Sequence, residues 1–190
     1  KSFNSNRSTV VNQQFSFHLI ALKRNLLQAA VVITDIIRNQ NASRISQLTT
    51  PIGFQQISRD MILSRKDNRL QLVRFEVEHL RRAIPMKVVT RKKFGRSYCF
   101  IDMLFVGLRN TKDFKTTEEI VKINEIIRRM DTEYRTPSEA TSAPHRIVFA
   151  EIFMRFRKEY SEQTPESADN GWFVSFYKIL SFDVINYDPR

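Results

Sequence analysis

From Phe15 to Ile36 the apolar residues Phe15, Leu19, Leu22, Leu26, Ala29, Ile33 and Ile36 recur alternately at four and three positions, with Gln14, His18, Asn25, Gln28, Asp35 and Asn39 opposite them. Only a helix brings side chains at that spacing onto one side; a strand would scatter them over both faces. A polar stretch, 1–10, expected to be flexible, therefore leads into a long amphipathic helical region over 11–66. Such a seam has two uses. It can lie on the chain's own core, or it can pack against another copy, for which Phe15, Leu19, Leu22, Leu26, Ile33 and Ile36 are the oligomerisation candidates. Pro51 and Gly53 open a shorter helix carrying Phe54, Ile57 and Met61, ended by the charged break Arg65-Lys66-Asp67-Asn68.

Beyond that break the period changes. Val73, Phe75 and Val77 alternate with Arg74, Glu76 and Glu78, as in a half-buried strand, while Leu70, Val73, Val77, Leu80 and Ile84 equally fit one helical face. The strand is preferred, because Phe75 would leave the helical stripe. Met86–Thr90 and Ser97–Gly107 read as a β-hairpin whose connection, 91–96, contains Gly95. The second arm is apolar on both faces from Tyr98 to Val106, the pattern of a central strand. Thr116 and Glu119 form a capping-box pair ahead of an amphipathic helix through Ile120, Ile123, Ile127 and Met130. A Ser/Thr/Pro-rich loop, 132–145, follows. Two β candidates, 147–156 and 172–184, should pair antiparallel across an acidic connection, 161–171, expected to be flexible. The expected class is α+β: a long N-terminal amphipathic helix region, then a mainly antiparallel sheet of four or five strands with one inserted helix. The β-rich region, 67–190, is expected to pack with the helices as a single domain.

Composition removes several function classes. Four glycines among 190 residues offer no glycine-rich phosphate loop, and no G-x-S-x-G elbow is present. His18, His79 and His145 stand far apart without cysteine or carboxylate at ligand spacing, so neither a metal site nor a cofactor is expected. Cys99, the only cysteine, sits in the most apolar strand, where a thiol packs and its pKa rises; no intramolecular disulfide can form, which favours a reducing, intracellular compartment, cytoplasmic or nuclear. The longest apolar run, Ala29–Ile33, is too short to cross a membrane. Arg74 and His79, with four residues between, are similar in spacing to some helical ribonuclease motifs, a nuclease reading that needs a helix there. Asp102 and Glu151 interrupt apolar strands and are expected to be held by ion pairs rather than to act as catalytic acids. No enzyme activity is expected.

Charge points elsewhere. Residues 1–110 hold 19 Lys and Arg against 6 Asp and Glu, a net +13, whereas residues 111–190 hold 12 against 14, a net −2. The densest run is Arg81, Arg82, Lys87, Arg91, Lys92, Lys93 and Arg96, with no acidic residue between, and Tyr98 beside it. At a hairpin tip these cations would meet phosphates while the ring stacks on an unpaired base. The expectation is a non-enzymatic basic protein that binds RNA or DNA without sequence preference, in a nucleoprotein assembly. The alternative is a self-assembling structural protein of matrix, shell or scaffold type, viral or eukaryotic in composition, associating with an anionic membrane surface or partner proteins.

Overall fold

The computed structural model describes residues 5–39, 41–63, 71–138, 146–160 and 171–186; side chains before Leu22 lie outside what is described. The chain is α+β. Among the described residues four strands, β1 (Leu80–Lys93), β2 (Arg96–Asn110), β3 (Arg146–Tyr160) and β4 (Phe173–Asn186), form one antiparallel sheet in the order β1-β2-β3-β4. Each strand pairs with its neighbours in sequence, so β2 and β3 occupy the centre, where β2's two apolar faces are needed. The inner face stacks Ile101, Met103 and Phe105 against Phe156, Met154 and Ile152 in register, with the Phe105 and Phe156 rings edge to face at 6.3 Å.

The strand expected at Val73–Val77 does not form. Residues 73–76 join no ladder, and Val77–His79 is a single 3₁₀ turn. The alternation holds over only four residues: Val73 and Phe75 are buried and Arg74 and Glu76 only partly so, whereas Val77, expected on the same side as Phe75, is 45% exposed. Phe75 seats its ring on the bare backbone of Gly107, where a Cβ would lie 2.6 Å from ring carbons.

Helix α1 (Ser5–Arg38) begins earlier than its apolar period, so residues 5–10 are helical rather than flexible. The Ser and Asn residues there lower helix propensity by only tenths of a kcal/mol, and no Gly or Pro interrupts them. From Leu26 onward its seam enters the chain's own core: Leu26, Ile33 and Ile36 are 2%, 1% and 1% exposed. Leu22 packs partly against that core, and the side chains of Phe15 and Leu19 lie outside the described residues. Helix α2 (Ala42–Leu48), which the sequence reading did not anticipate, is capped by Asn41, whose side chain accepts the Arg44 N–H at 3.3 Å.

Helix α3 (Pro51–Leu63) seals part of the β4 edge. Gly53 comes so close that a Cβ there would stand 2.5 Å from the Val174 oxygen. Thr50 donates its N–H to the same oxygen at 3.0 Å, and the Gln56 amide pairs with both backbone groups of Tyr177, at 2.8 and 3.2 Å, as a neighbouring strand would. Helix α4 (Thr117–Tyr134) links β2 to β3 and buries Ile123, Ile126 and Ile127. One buried cluster draws side chains from all four helices and all four strands. Among the described residues no helix is long and apolar enough to cross a membrane.

An ionic junction ties the helices to the sheet. Glu119 at the start of α4 receives Arg38 of α1 at 3.2 Å and Arg74 at 2.6 Å, and Arg74 also reaches Asp35 at 3.0 Å. Burial pushes the Glu119 carboxyl up, but the Arg38 hydrogen bond and the charges of Arg74, Arg38 and Arg109 together hold it below its ordinary value. Arg109, only 2% exposed, stacks its guanidinium 3.7 Å from the Phe114 ring centre and donates to the carbonyls of Arg74 and Asp113 at 2.9 and 3.2 Å.

Candidate nucleic-acid interface

The expected hairpin is present, and its turn is tighter than the sequence suggested. Phe94 and Gly95 have φ of 50° and 74°, the two-residue turn with both central residues left-handed that matches strand twist. The connection expected over 91–96 thus shrinks to two residues. Arg91, Lys92, Lys93 and Arg96 stand on strands rather than in a loop, and strand geometry sorts them. Side chains alternate between faces, and cross-strand partners share one. The pairs Arg82↔Val106, Lys87↔Asp102, Arg91↔Tyr98 and Lys93↔Arg96 put Arg82, Lys87, Arg91, Lys93, Arg96 and Tyr98 on the outer face, away from the core. Lys92 pairs with Ser97 on the opposite side, and Arg81 falls at the irregularity between Leu80 and Arg82. The five cations on this face are exposed, and Phe94 at the tip is 91% exposed, with the Lys93 ammonium 5.1 Å from its ring centre.

That outer face continues across the sheet with residues the sequence reading missed. One cross-strand row runs Val89, Phe100, Arg157, Phe173; the next runs Lys87, Asp102, Arg155, Phe176. Further from the turn stand Leu104, Val106, Leu108, Phe149 and Phe153. Phe100, Phe153, Phe173 and Phe176 neither belong to the core cluster nor pack against it, and all four remain half-buried. Phe153 and Phe176 meet edge to face at 5.8 Å. Arg157 lies with its guanidinium 5.3 Å from the Tyr98 ring centre, and its Nε, though shielded, has no hydrogen-bond partner among the described residues.

The carboxylates on this half of the face are neutralised. Asp102, in the middle of the sheet, takes two hydrogen bonds from Arg155, at 2.6 and 2.8 Å, which raise the arginine pKa and meet the expectation that a buried carboxylate is paired. Glu159 lies 3.4 Å from Arg96. Glu151, for which the same pairing was expected, makes no ion pair among the described residues.

Other candidates sit in structural surroundings. Cys99 is buried on the inner face, and burial pushes its thiol up. Arg74 is held by Asp35 and Glu119, and His79 accepts the Glu76 N–H on Nδ1 at 3.0 Å, within a segment that is not α-helical. The side chain of His18, within α1, and the whole of His145 and of the acidic connection 161–170 lie outside what is described. A half-open cleft of about 660 Å³ between α4 and β4 is lined by Ile127, Met130, Tyr134 and Phe182, with Arg146 turned onto Asp131 at 2.9 Å. Searches against protein-family models, curated proteins and solved structures found no match to this chain.

Proposed function

We propose that this protein binds nucleic acid without reading sequence, through phosphate contacts along the β1–β2 hairpin. The observation that carries this reading is the gathering of Arg82, Lys87, Arg91, Lys93 and Arg96 on one exposed face of a hairpin that holds no acidic side chain between Arg81 and Arg96. Five guanidinium and ammonium groups on one surface make a field that a polyanion satisfies and a neutral partner does not. The uneven charge of the chain supports the same reading. Its single, buried cysteine is compatible with work in a reducing compartment.

The test is a salt series of binding to single-stranded RNA, duplex DNA and anionic vesicles, with the Arg91/Lys92/Lys93 triple alanine variant beside the wild type. Contacts to about 4–6 phosphates give a log–log salt slope of roughly −3 to −4 on single strands, and the variant loses slope and affinity together. Absence of binding to either nucleic acid near physiological salt overturns the proposal.

A second reading, a self-assembling structural protein, draws support from Leu104, Val106, Leu108 and Phe149, which stand together on the far half of the outer face with Arg82, Glu151, Lys178 and Asp183 in the same cross-strand rows. Three of its six seam candidates, Leu26, Ile33 and Ile36, fill the chain's own core.

A further inference from the structure

We infer that the outer face beside the hairpin is a base-stacking platform, which makes the ligand single-stranded nucleic acid rather than duplex; the inference rests on the nucleic-acid reading above. Its basis is the juxtaposition of rings and cations within one set of cross-strand rows. Phe100 and Phe173 flank Arg157 in one row, and Tyr98 lies one row nearer the turn with Arg157 against its ring. Phe176 stands one row further on, beside Arg155. Neighbouring strands are about 4.8 Å apart, so Phe100 and Phe173 are separated by about 10 Å, with a guanidinium between them.

Among the described residues, core packing accounts for none of these rings, although Phe176 meets Phe153 edge to face. Phe100, Phe173 and Phe176 are outside the core and leave part of each ring in solvent. An unpaired base can replace that water on a ring face, and any base serves, so the platform needs no sequence readout. An undistorted duplex offers it no base face. Its bases are stacked inside and present only edges within the grooves, so ring stacking there would first have to pry base steps apart.

Charge selects a polyanion over a protein as the occupant. Around the rings stand Lys87, Arg91, Lys93, Arg96, Arg155 and Arg157, and the two carboxylates among them, Asp102 and Glu159, already face Arg155 and Arg96. A protein-binding core is depleted in lysine, whereas backbone phosphates running between stacked bases need such cations.

The experiment compares a single-stranded RNA or DNA oligonucleotide, an abasic strand carrying the same phosphates, and a duplex, at one salt concentration, by fluorescence anisotropy. Wild type is expected to hold the single strand about tenfold or more tighter than the abasic strand, and Phe100→Ala or Phe173→Ala removes about that factor per ring. The same variants leave abasic binding within about twofold, and Phe100→Trp restores affinity because it keeps a ring. Thermal melts identify any variant that fails to fold, and the abasic comparison on wild type stands without one. Equal affinity for normal and abasic strands overturns the platform while leaving phosphate binding in place. No binding to any strand overturns both. Self-association of the wild type that Phe100→Ala abolishes, without a base-dependent difference, assigns the face to a protein contact instead.

Discussion

His79 is a side chain whose protonation the fold opposes. It is 6% exposed, and burial, followed by the nearby Arg109 charge, lowers its pKa from 6.5, outweighing the pull of Glu78, Glu76 and Asp113. Folded and unfolded chains are both neutral at this ring well above 6.5, so its contribution is complete there. Below 6.5 the unfolded chain takes up a proton that the folded chain refuses, and stability falls with pH. Urea melts between about pH 7.5 and 5 should show a decline no steeper than about 1.4 kcal/mol per pH unit from this group, and His79→Gln should flatten it. A slope unchanged by the substitution would place the titration elsewhere. At this scale the sequence reading placed Cys99 correctly as packing. It could not foresee Arg109, whose burial depends on the Phe114 ring and two carbonyls that only the tertiary fold brings together.

At the scale of elements, what could be read were the periods. The helix through Ile36, the capping Thr116, the central character of β2 and the β3–β4 pairing follow from local spacing, and the structure contains them. Even so, only half of the expected capping box forms: Thr116 accepts the Glu119 N–H at 3.2 Å, while the Glu119 carboxylate is drawn to Arg38 and Arg74. The outer face was less legible. Arg82 and Lys87 are an odd number of residues apart, and strict alternation would put them on opposite sides; the irregularity between Pro85 and Lys87 restores Lys87 to the outer face. Phe173 and Phe176 share that face for the same reason, through the bulge opposite Arg155 and Phe156. Arg155 and Arg157 join it only because β3 pairs with β2 in one register. The α3–β4 contact depends on a missing side chain. Gly53→Ala should cost about 2 kcal/mol or more, because the clash is with backbone that cannot rotate away, whereas Gly171→Ala, with open space around it, should be near neutral. Chemical denaturation of the two variants decides this, and equal stability would refute the close approach.

At the scale of the whole molecule, the Asp35–Arg74–Glu119–Arg38 junction binds segments that lie up to 84 residues apart in the chain, holding α1 and α4 to the unpaired segment 73–76 that precedes the sheet. Glu119 is the hub, since two arginines converge on it. Glu119→Ala leaves Arg38 and Arg74 facing each other and should cost about 2 kcal/mol, discounted from the figure for fully buried pairs because Arg74 is 35% exposed. Removing one repelling cation as well, in the Glu119→Ala/Arg74→Met double variant, should recover part of that loss. A double-mutant cycle measures the coupling, and strictly additive effects would mean that the junction is decorative.

The two borders of the sheet are unequal. Along β4, Thr50 and Gln56 occupy the backbone groups of Val174 and Tyr177, while among the described residues β1 has no strand partner on its outer border, its first residue, Leu80, alone being buried and bonded back to the Val77 carbonyl. A sheet with one open border can be joined there once, by a second copy turned about a two-fold axis, and the union then closes. Open-ended growth would need two such borders. Even the single union, antiparallel by its two-fold, sets mid-strand Lys87 near the twin's Lys87 and Arg91 near its Arg82, so the strand with the open border also carries the charges that resist joining it.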